Sequence, residues 1–210
     1  MAKNKNKRGV NSLRSADKKF LDMLERVGYV SHSAAKELGI KDGRLDDYQY
    51  CKRQYIEQGK SVRNPITKQM EQTYRLTKLG KELQRERALN EGRQAEFYRS
   101  VSAKHDVGLN RPYMAKSEQE QASWKTEDRV RKMLVDRIRE IKKEDKDRGE
   151  ELQRMYNRGE ISPTDAAYTN TQGKLVLVES VTSSYRADRI QAKLEAVELL
   201  GAEYEQYKAD

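Results

Sequence analysis

The chain has few of the residues that stabilise small secreted domains or form membrane spans. Among its 210 residues are one cysteine, Cys51, three prolines, one tryptophan and two phenylalanines. A single cysteine excludes an intramolecular disulfide framework and a cysteine-rich zinc site. No apolar run approaches the roughly 18 residues of a membrane-spanning helix, and the N-terminus lacks the apolar segment of a signal peptide. We therefore expect a cytoplasmic protein with no membrane partner.

Charged residues are abundant instead, at 37% of the chain, and the formal net charge is +9. The basic excess lies in the first half of the chain. Residues 1–14 contain five basic and no acidic residues, and residues 15–90 contain 16 basic and 11 acidic ones. Residues 91–210 are almost balanced, with 22 basic and 23 acidic residues. Because clustered cations attract phosphate, we expect DNA contacts in the first half, with residues 1–14 as a basic flexible tail.

Residues 15–90 have the pattern of a winged helix-turn-helix domain. Apolar spacing predicts a first helix over 15–28, a short helix over 31–39 and, after a turn, a longer helix over 45–59. Two strand-like segments follow at 60–62 and 73–76. Ser31 or Ser33 can cap the short helix, and Thr77 can cap a new helix after the second strand. The stretch between these strands is polar and basic, which is typical of a wing that contacts DNA.

The second long helix and the wing carry the candidate DNA contacts, because Arg and Gln can bond base edges while Lys more often holds phosphate. The candidates are Arg44, Gln49, Lys52 and Arg53 on the helix, and Arg63 and Lys68 on the wing. Asp46 and Asp47 repel phosphate, so either this helix face turns toward protein or only the N-terminal end of the helix contacts DNA. A winged helix that binds protein is the alternative interpretation.

Residues 91–160 are predicted to form a helical linker region. A long helix begins near Trp124 and has apolar residues at helical spacing, until the polar stretch 142–148 breaks the pattern. Earlier in this region, His105 stands next to Asp106. The two could form a catalytic or ligand pair, but a structural or surface histidine is the interpretation that we favour.

The last fifty residues place two carboxylates on neighbouring strands. Residues 174–182 alternate as a strand in which Glu179 lies on an otherwise apolar face, where an unpaired carboxylate is costly. Asp165 belongs to the preceding strand, and the turn 170–173 joins this strand to the strand 174–182. In an antiparallel pair the two acids come close. Two carboxylates can bind Mg²⁺ or Mn²⁺ and activate water for phosphodiester hydrolysis.

Five short motifs then suggest a family. In chain order they are Lys104-His105-Asp106, Trp124-Lys125-Thr126-Glu127, Pro163-Thr164-Asp165-Ala166, Val178-Glu179-Ser180-Val181-Thr182 and Lys193-Leu194. This series resembles the replication-relaxation family of plasmid and mobile-element proteins, which joins a winged helix to a core similar to the PD-(D/E)XK nucleases. The resemblance implies that Asp165, Glu179 and Glu127 bind the metal. It also implies that Lys193 replaces the catalytic lysine of the motif, because Val181 stands in the usual position of that lysine.

We therefore predict an α+β protein with a winged helix-turn-helix domain over 15–90 and a small PD-(D/E)XK-like α/β domain over 161–210, whose core includes 101–141. The implied function is double-stranded DNA binding in replication, transfer or maintenance of a plasmid, phage or other mobile element, with metal-dependent nicking if the core is active. Thr164 and Val181 depart from the motif and leave two alternatives. One is a non-catalytic regulator or accessory factor with a nuclease-like dimerisation domain, which needs no cofactor. The other is an interaction module that acts on a host protein. Candidate partners are double-stranded DNA, replication or transfer proteins and a second copy of the chain.

Overall fold

The computed structural model describes residues 13–50, 54–64, 67–99, 102–181 and 185–208. Within these residues the strands form sheets of three, two and four strands, surrounded by helices. The predicted α+β class is thus confirmed. None of the described helices is long and apolar enough to cross a membrane. Of the predicted basic tail over 1–14, residues 1–12 lie outside the described residues.

The N-terminal elements surround a small antiparallel sheet. In chain order they are α1 (Ser15–Val27), β1 (Val30–Ser31), α2 (His32–Glu37), α3 (Asp42–Tyr50), β2 (Ile56–Gln58), β3 (Val62–Arg63), β4 (Met70–Glu71), β5 (Thr73–Leu76) and α4 (Lys78–Asn90). Strand β5 is central and pairs with β1 and β2, while β3 and β4 form a separate hairpin. The predicted caps Ser31 and Thr77 accept hydrogen bonds from backbone amides in the first turns of α2 and α4.

The prediction of one long helix over 45–59 is wrong. Helix α3 ends at Tyr50, and Ile56 begins strand β2. Ile56 pairs with Leu76 of β5 and is buried, so pairing within the sheet overrides the helical spacing of the apolar residues. The candidate contacts Lys52 and Arg53 lie outside the described residues.

The middle of the chain is mainly helical. Its elements are α5 (Ala103–Val107), α6 (Asn110–Met114), α7 (Glu118–Ala122), β6 (Lys125–Thr126), α8 (Glu127–Glu144) and α9 (Lys146–Arg158). Helices α8 and α9 pack against each other, and the predicted break in the long helix falls at Asp145. Gly149 permits this packing, because a Cβ there would lie 2.3 Å from the Lys142 backbone.

The C-terminal elements are β7 (Ala166–Thr169), β8 (Leu175–Val181), α10 (Ala187–Leu200) and β9 (Glu203–Lys208). The sheet order is β6-β7-β8-β9. Strands β6, β7 and β8 are antiparallel neighbours, whereas β9 returns parallel to β8 after the α10 crossover. Ser183 and Ser184, either of which could cap a helix after β8, lie outside the described residues, and α10 begins after Arg186.

The hydrophobic core crosses the predicted domain boundaries. One cluster includes Phe20 of α1, Trp124, and Tyr168 and Val178 of the C-terminal sheet. The Trp124 indole stacks on the Tyr168 ring with centroids 6.0 Å apart. The backbone carbonyl oxygen of Trp124 accepts a hydrogen bond of 2.9 Å from the Arg26 guanidinium of α1. A second cluster joins α8 and α9 to the other face of the sheet. Trp124, α8 and α9 thus contribute to the two clusters together with the C-terminal sheet.

Candidate functional site

Asp165 and Glu179 lie side by side where β7 begins. The strand register pairs Ala166 with Val178, which brings the residue before β7 beside Glu179. The Asp165 amide donates a hydrogen bond of 3.1 Å to Glu179 Oε2, and the Ser180 amide donates one of 2.8 Å to Asp165 Oδ2. Both carboxylates are buried. The predicted proximity of the two acids is therefore confirmed.

Lys193 of α10 brings a positive charge to this acid pair. Its Nζ lies 3.2 Å from Glu179 Oε1 and donates a hydrogen bond to the Pro163 carbonyl oxygen. Only 8% of Lys193 is exposed, and a buried ammonium group is costly without such partners. The structure thus places Lys193 where we expected a substitute for the lysine that Val181 replaces. A catalytic role for Lys193 stays a prediction.

Tyr185, which sequence analysis missed, completes the contacts of Glu179. Its hydroxyl donates a hydrogen bond to Glu179 Oε1, the oxygen that Lys193 also contacts. Burial and the negative charge of Asp165 raise the pKa of Glu179 to about 7. Lys193 and Tyr185 oppose this rise in pKa, because both stabilise the ionised carboxylate. Shifted carboxyl groups of this kind occur often at functional sites and also in structural ion-pair networks.

His105 reaches the acid pair from α5. Its Nε2 lies 3.2 Å from Asp165 Oδ1, and its Nδ1 lies 3.6 Å from Asp106 Oδ1. The carboxylates of Asp106 and Asp165 together raise the pKa of His105 to about 10. The imidazole is therefore a second cation next to the acids. We favoured a structural or surface histidine from the sequence, whereas the structure brings His105 into the candidate site.

Glu127 and Tyr98 border the site. Glu127 begins α8, and its carboxylate pairs with Arg131 one turn later. Burial raises the pKa of Tyr98 well above its ordinary value, and the charges of four nearby carboxylates add to this shift. These carboxylates belong to Asp165, Asp106, Glu127 and Glu179. Tyr98 thus lies within the electrostatic field of the whole acidic group, and no sequence motif had indicated it.

The arrangement of these side chains bears on the predicted metal. All four carboxylate oxygens of Asp165 and Glu179 already have a protein partner. Within the described part of the chain, no three His, Cys, Asp or Glu side chains are grouped as a metal site requires. Mg²⁺ demands near-octahedral oxygen coordination. With Lys193 and His105 in these positions, a divalent cation at the acid pair would have to displace or share the contacts that these two cations now make. Mg²⁺ or Mn²⁺ as a cofactor stays a prediction.

The predicted DNA contacts fall into two groups. Arg44 donates hydrogen bonds of 3.1 and 2.8 Å to the buried Asp17 carboxylate, and Gln49 is buried against its own helix. Arg63 and Lys68 are exposed on the β3–β4 hairpin. Of the candidates that the structure describes, only the hairpin pair presents side chains to solvent without a competing acid.

Comparisons with known proteins add no assignment. No family model matches the chain. No curated protein and no solved structure matches it either.

Proposed function

We propose that this protein binds double-stranded DNA through a surface formed by the β3–β4 hairpin and α5, here called the hairpin–α5 surface. Its four exposed cations make no ion pair with any described residue; they are Lys60, Arg63, Lys68 and Lys104. Val62 of β3 and Ala103 of α5 share a small apolar cluster, so the two elements that carry these charges are in contact. Unpaired cations on adjacent elements attract the phosphates of a duplex. This cluster of free positive charge carries the proposal.

Helix α3 is a poorer candidate for the contact surface. Its exposed residues include Asp42, Asp46 and Asp47, which repel phosphate. Its one arginine, Arg44, is held by Asp17. Contacts through the hairpin–α5 surface are mostly with phosphates. We therefore expect binding that depends strongly on salt and only weakly on sequence.

The order of elements supports a winged helix-turn-helix as the DNA-binding unit. Helix, strand, two helices, strand, hairpin and strand follow one another, and β5 pairs with both β1 and β2 to form a three-stranded sheet. The mixed C-terminal sheet with its acid pair supports a nuclease-like core in the same way. With the motif resemblance, these features favour an accessory role in replication, transfer or maintenance of a plasmid, phage or other mobile element.

Phosphodiester hydrolysis at the acid pair is the second candidate. The 3.2 Å contact between Lys193 and Glu179 favours it, because an ammonium group beside a carboxylate can stabilise charge that develops on a phosphate. The protein partners already bound to every carboxylate oxygen disfavour it. We therefore place DNA binding first and hydrolysis second.

The DNA-binding proposal is tested by fluorescence anisotropy with a labelled duplex over a range of salt concentrations. The test variant is Arg63→Gln/Lys68→Gln. The control is Lys132→Gln/Lys146→Gln, which removes two exposed, unpaired lysines from α8 and α9. Each lost phosphate contact should make the slope of log K, where K is the association constant, against log salt less negative by roughly 0.9. We expect the test variant to bind DNA more weakly and with a smaller salt dependence. The control should change little in either property. Equal losses in both variants would contradict the proposed surface.

A further inference from the structure

A cleft of about 450 Å³ opens beside the acid pair, between α9 and α10. Its lining includes Arg158, Ser162, Tyr185, Arg189 and Lys193. Tyr185 and Lys193 are also the two side chains that contact Glu179. The cleft therefore leads from solvent to the buried contact between Glu179 and Lys193. No residue of α5 lines it.

Among the described residues, one cation that lines this cleft has no acidic partner. Arg158 pairs with Glu160 at 2.7 Å, and Asp188 pairs with Arg186 at 3.3 Å. Arg189 is exposed and makes no ion pair with any residue that the structure describes. A cleft with an uncompensated guanidinium favours an anionic ligand. Arg in particular suits phosphate, because it can donate two parallel hydrogen bonds to it.

The aromatic lining narrows the class of ligand. The Arg189 guanidinium carbon lies 6.0 Å from the centroid of the Tyr185 ring. Proteins that bind single-stranded nucleic acid commonly stack a base on an aromatic ring or a guanidinium plane while cations hold the phosphates, and one nucleotide can use the same two contacts. The cleft volume is also in the range of small-molecule sites. We propose that this cleft binds one nucleotide, with the phosphate at Arg189 and the base at Tyr185.

This site goes beyond duplex binding, because no residue of the hairpin–α5 surface lines the cleft. The two proposals can therefore fail separately. A protein that does not bind duplex DNA can still bind a free nucleotide, and the Arg63→Gln/Lys68→Gln variant should retain nucleotide binding.

The test is isothermal titration calorimetry of the full chain with thymidine 5′-monophosphate, with thymidine and inorganic phosphate as comparisons. Arg189→Gln should weaken nucleotide binding about tenfold or more, since a charge-assisted contact is lost. Arg154→Gln is the matched control, because Arg154 is an exposed arginine of α9 that makes no ion pair with any described residue and does not line the cleft. We expect this control to bind like the wild type. Equal weakening in both variants would overturn the role of Arg189.

Tyr185→Phe separates the ring from its hydroxyl. It removes the hydrogen bond to Glu179 but keeps the aromatic surface, so we expect nucleotide binding to be retained. Tyr185→Leu should lose it, with circular dichroism showing that the variant is folded. Two results would overturn the proposal. One is the absence of nucleotide binding to the wild type. The other is binding of inorganic phosphate as tight as that of the nucleotide, which would exclude a contact with the base.

Discussion

Lys68 offers a test in which stability and DNA binding are expected to respond differently. Its backbone has φ of 59°, in the left-handed region, and Lys68 is the only non-glycine among the described residues with a positive φ. Its amide donates a hydrogen bond of 2.9 Å to Asn64, and its carbonyl oxygen accepts one of 2.9 Å from Arg63. Both bonds use main-chain atoms of Lys68. Lys68→Gly therefore preserves the turn and removes only the charged side chain.

The expected magnitudes follow from this geometry. A left-handed conformation costs a non-glycine residue roughly 1 kcal/mol, which glycine avoids. Glycine also adds entropy to the unfolded chain, which costs roughly 0.5–1 kcal/mol. The two effects nearly cancel, so we expect the free energy of unfolding to change by less than about 0.5 kcal/mol. If Lys68 contacts a phosphate, the loss of that contact lowers affinity for DNA about eightfold at 0.1 M salt.

The assay combines urea unfolding with anisotropy for Lys68→Gly, Lys68→Gln and Lys146→Gln. Lys68→Gln removes the charge but keeps the left-handed residue, and Lys146→Gln removes one exposed charge from α9. Both Lys68 variants should lose affinity, and their free energies of unfolding should differ by less than about 0.5 kcal/mol. If Lys68→Gly bound DNA as tightly as Lys146→Gln, the hairpin would not be the contact surface. A loss of stability well above 1 kcal/mol in Lys68→Gly would refute the argument from backbone strain.

Two further predictions concern buried carboxylates. If the acid pair keeps the protein partners that now contact all four of its oxygens, millimolar Mg²⁺ or Mn²⁺ should neither raise the melting temperature nor produce nicking of supercoiled DNA. A rise in melting temperature that Asp165→Asn abolishes would instead establish the metal site predicted from the sequence. Asp17→Asn should cost about 2 kcal/mol at pH 7. Burial opposes ionisation of Asp17, but hydrogen bonds from Arg44 and the Arg14 amide outweigh it and lower the pKa of Asp17. The stability difference should therefore be present above about pH 4 and shrink as the pH falls toward the lowered pKa, as urea unfolding at each pH would show; a constant difference would contradict it.

Local patterns predicted those parts of the fold that depend on neighbouring residues. The caps at Ser31 and Thr77 follow from a hydroxyl three residues before the amide that it accepts from. The contact between Asp165 and Glu179 follows from a short turn between two strands, which fixes their register. In both cases the interacting groups are close in sequence, so few arrangements of the chain compete.

Long-range contacts explain what sequence analysis missed. The end of α3 was misplaced because the strand partner of Ile56 is Leu76, twenty residues later. His105 was undervalued because its partner Asp165 lies sixty residues further on, so no local spacing indicates the pair. The Lys104-His105-Asp106 motif was the one sequence signal that included it. Tyr98 had no such signal, since its place among the acids results only from folding.

Helix α5 contacts both the β3–β4 hairpin and the acid pair. Ala103 and Val107, one turn apart, belong to the apolar cluster that includes Val62 of the hairpin. Between them, His105 is directed to Asp165. Helix α5 has only about one and a half turns, so Ala103 and Val107, which face the hairpin, and His105, which faces the acid pair, move together. The same five residues therefore contact the basic hairpin and place the His105 cation at the acid pair.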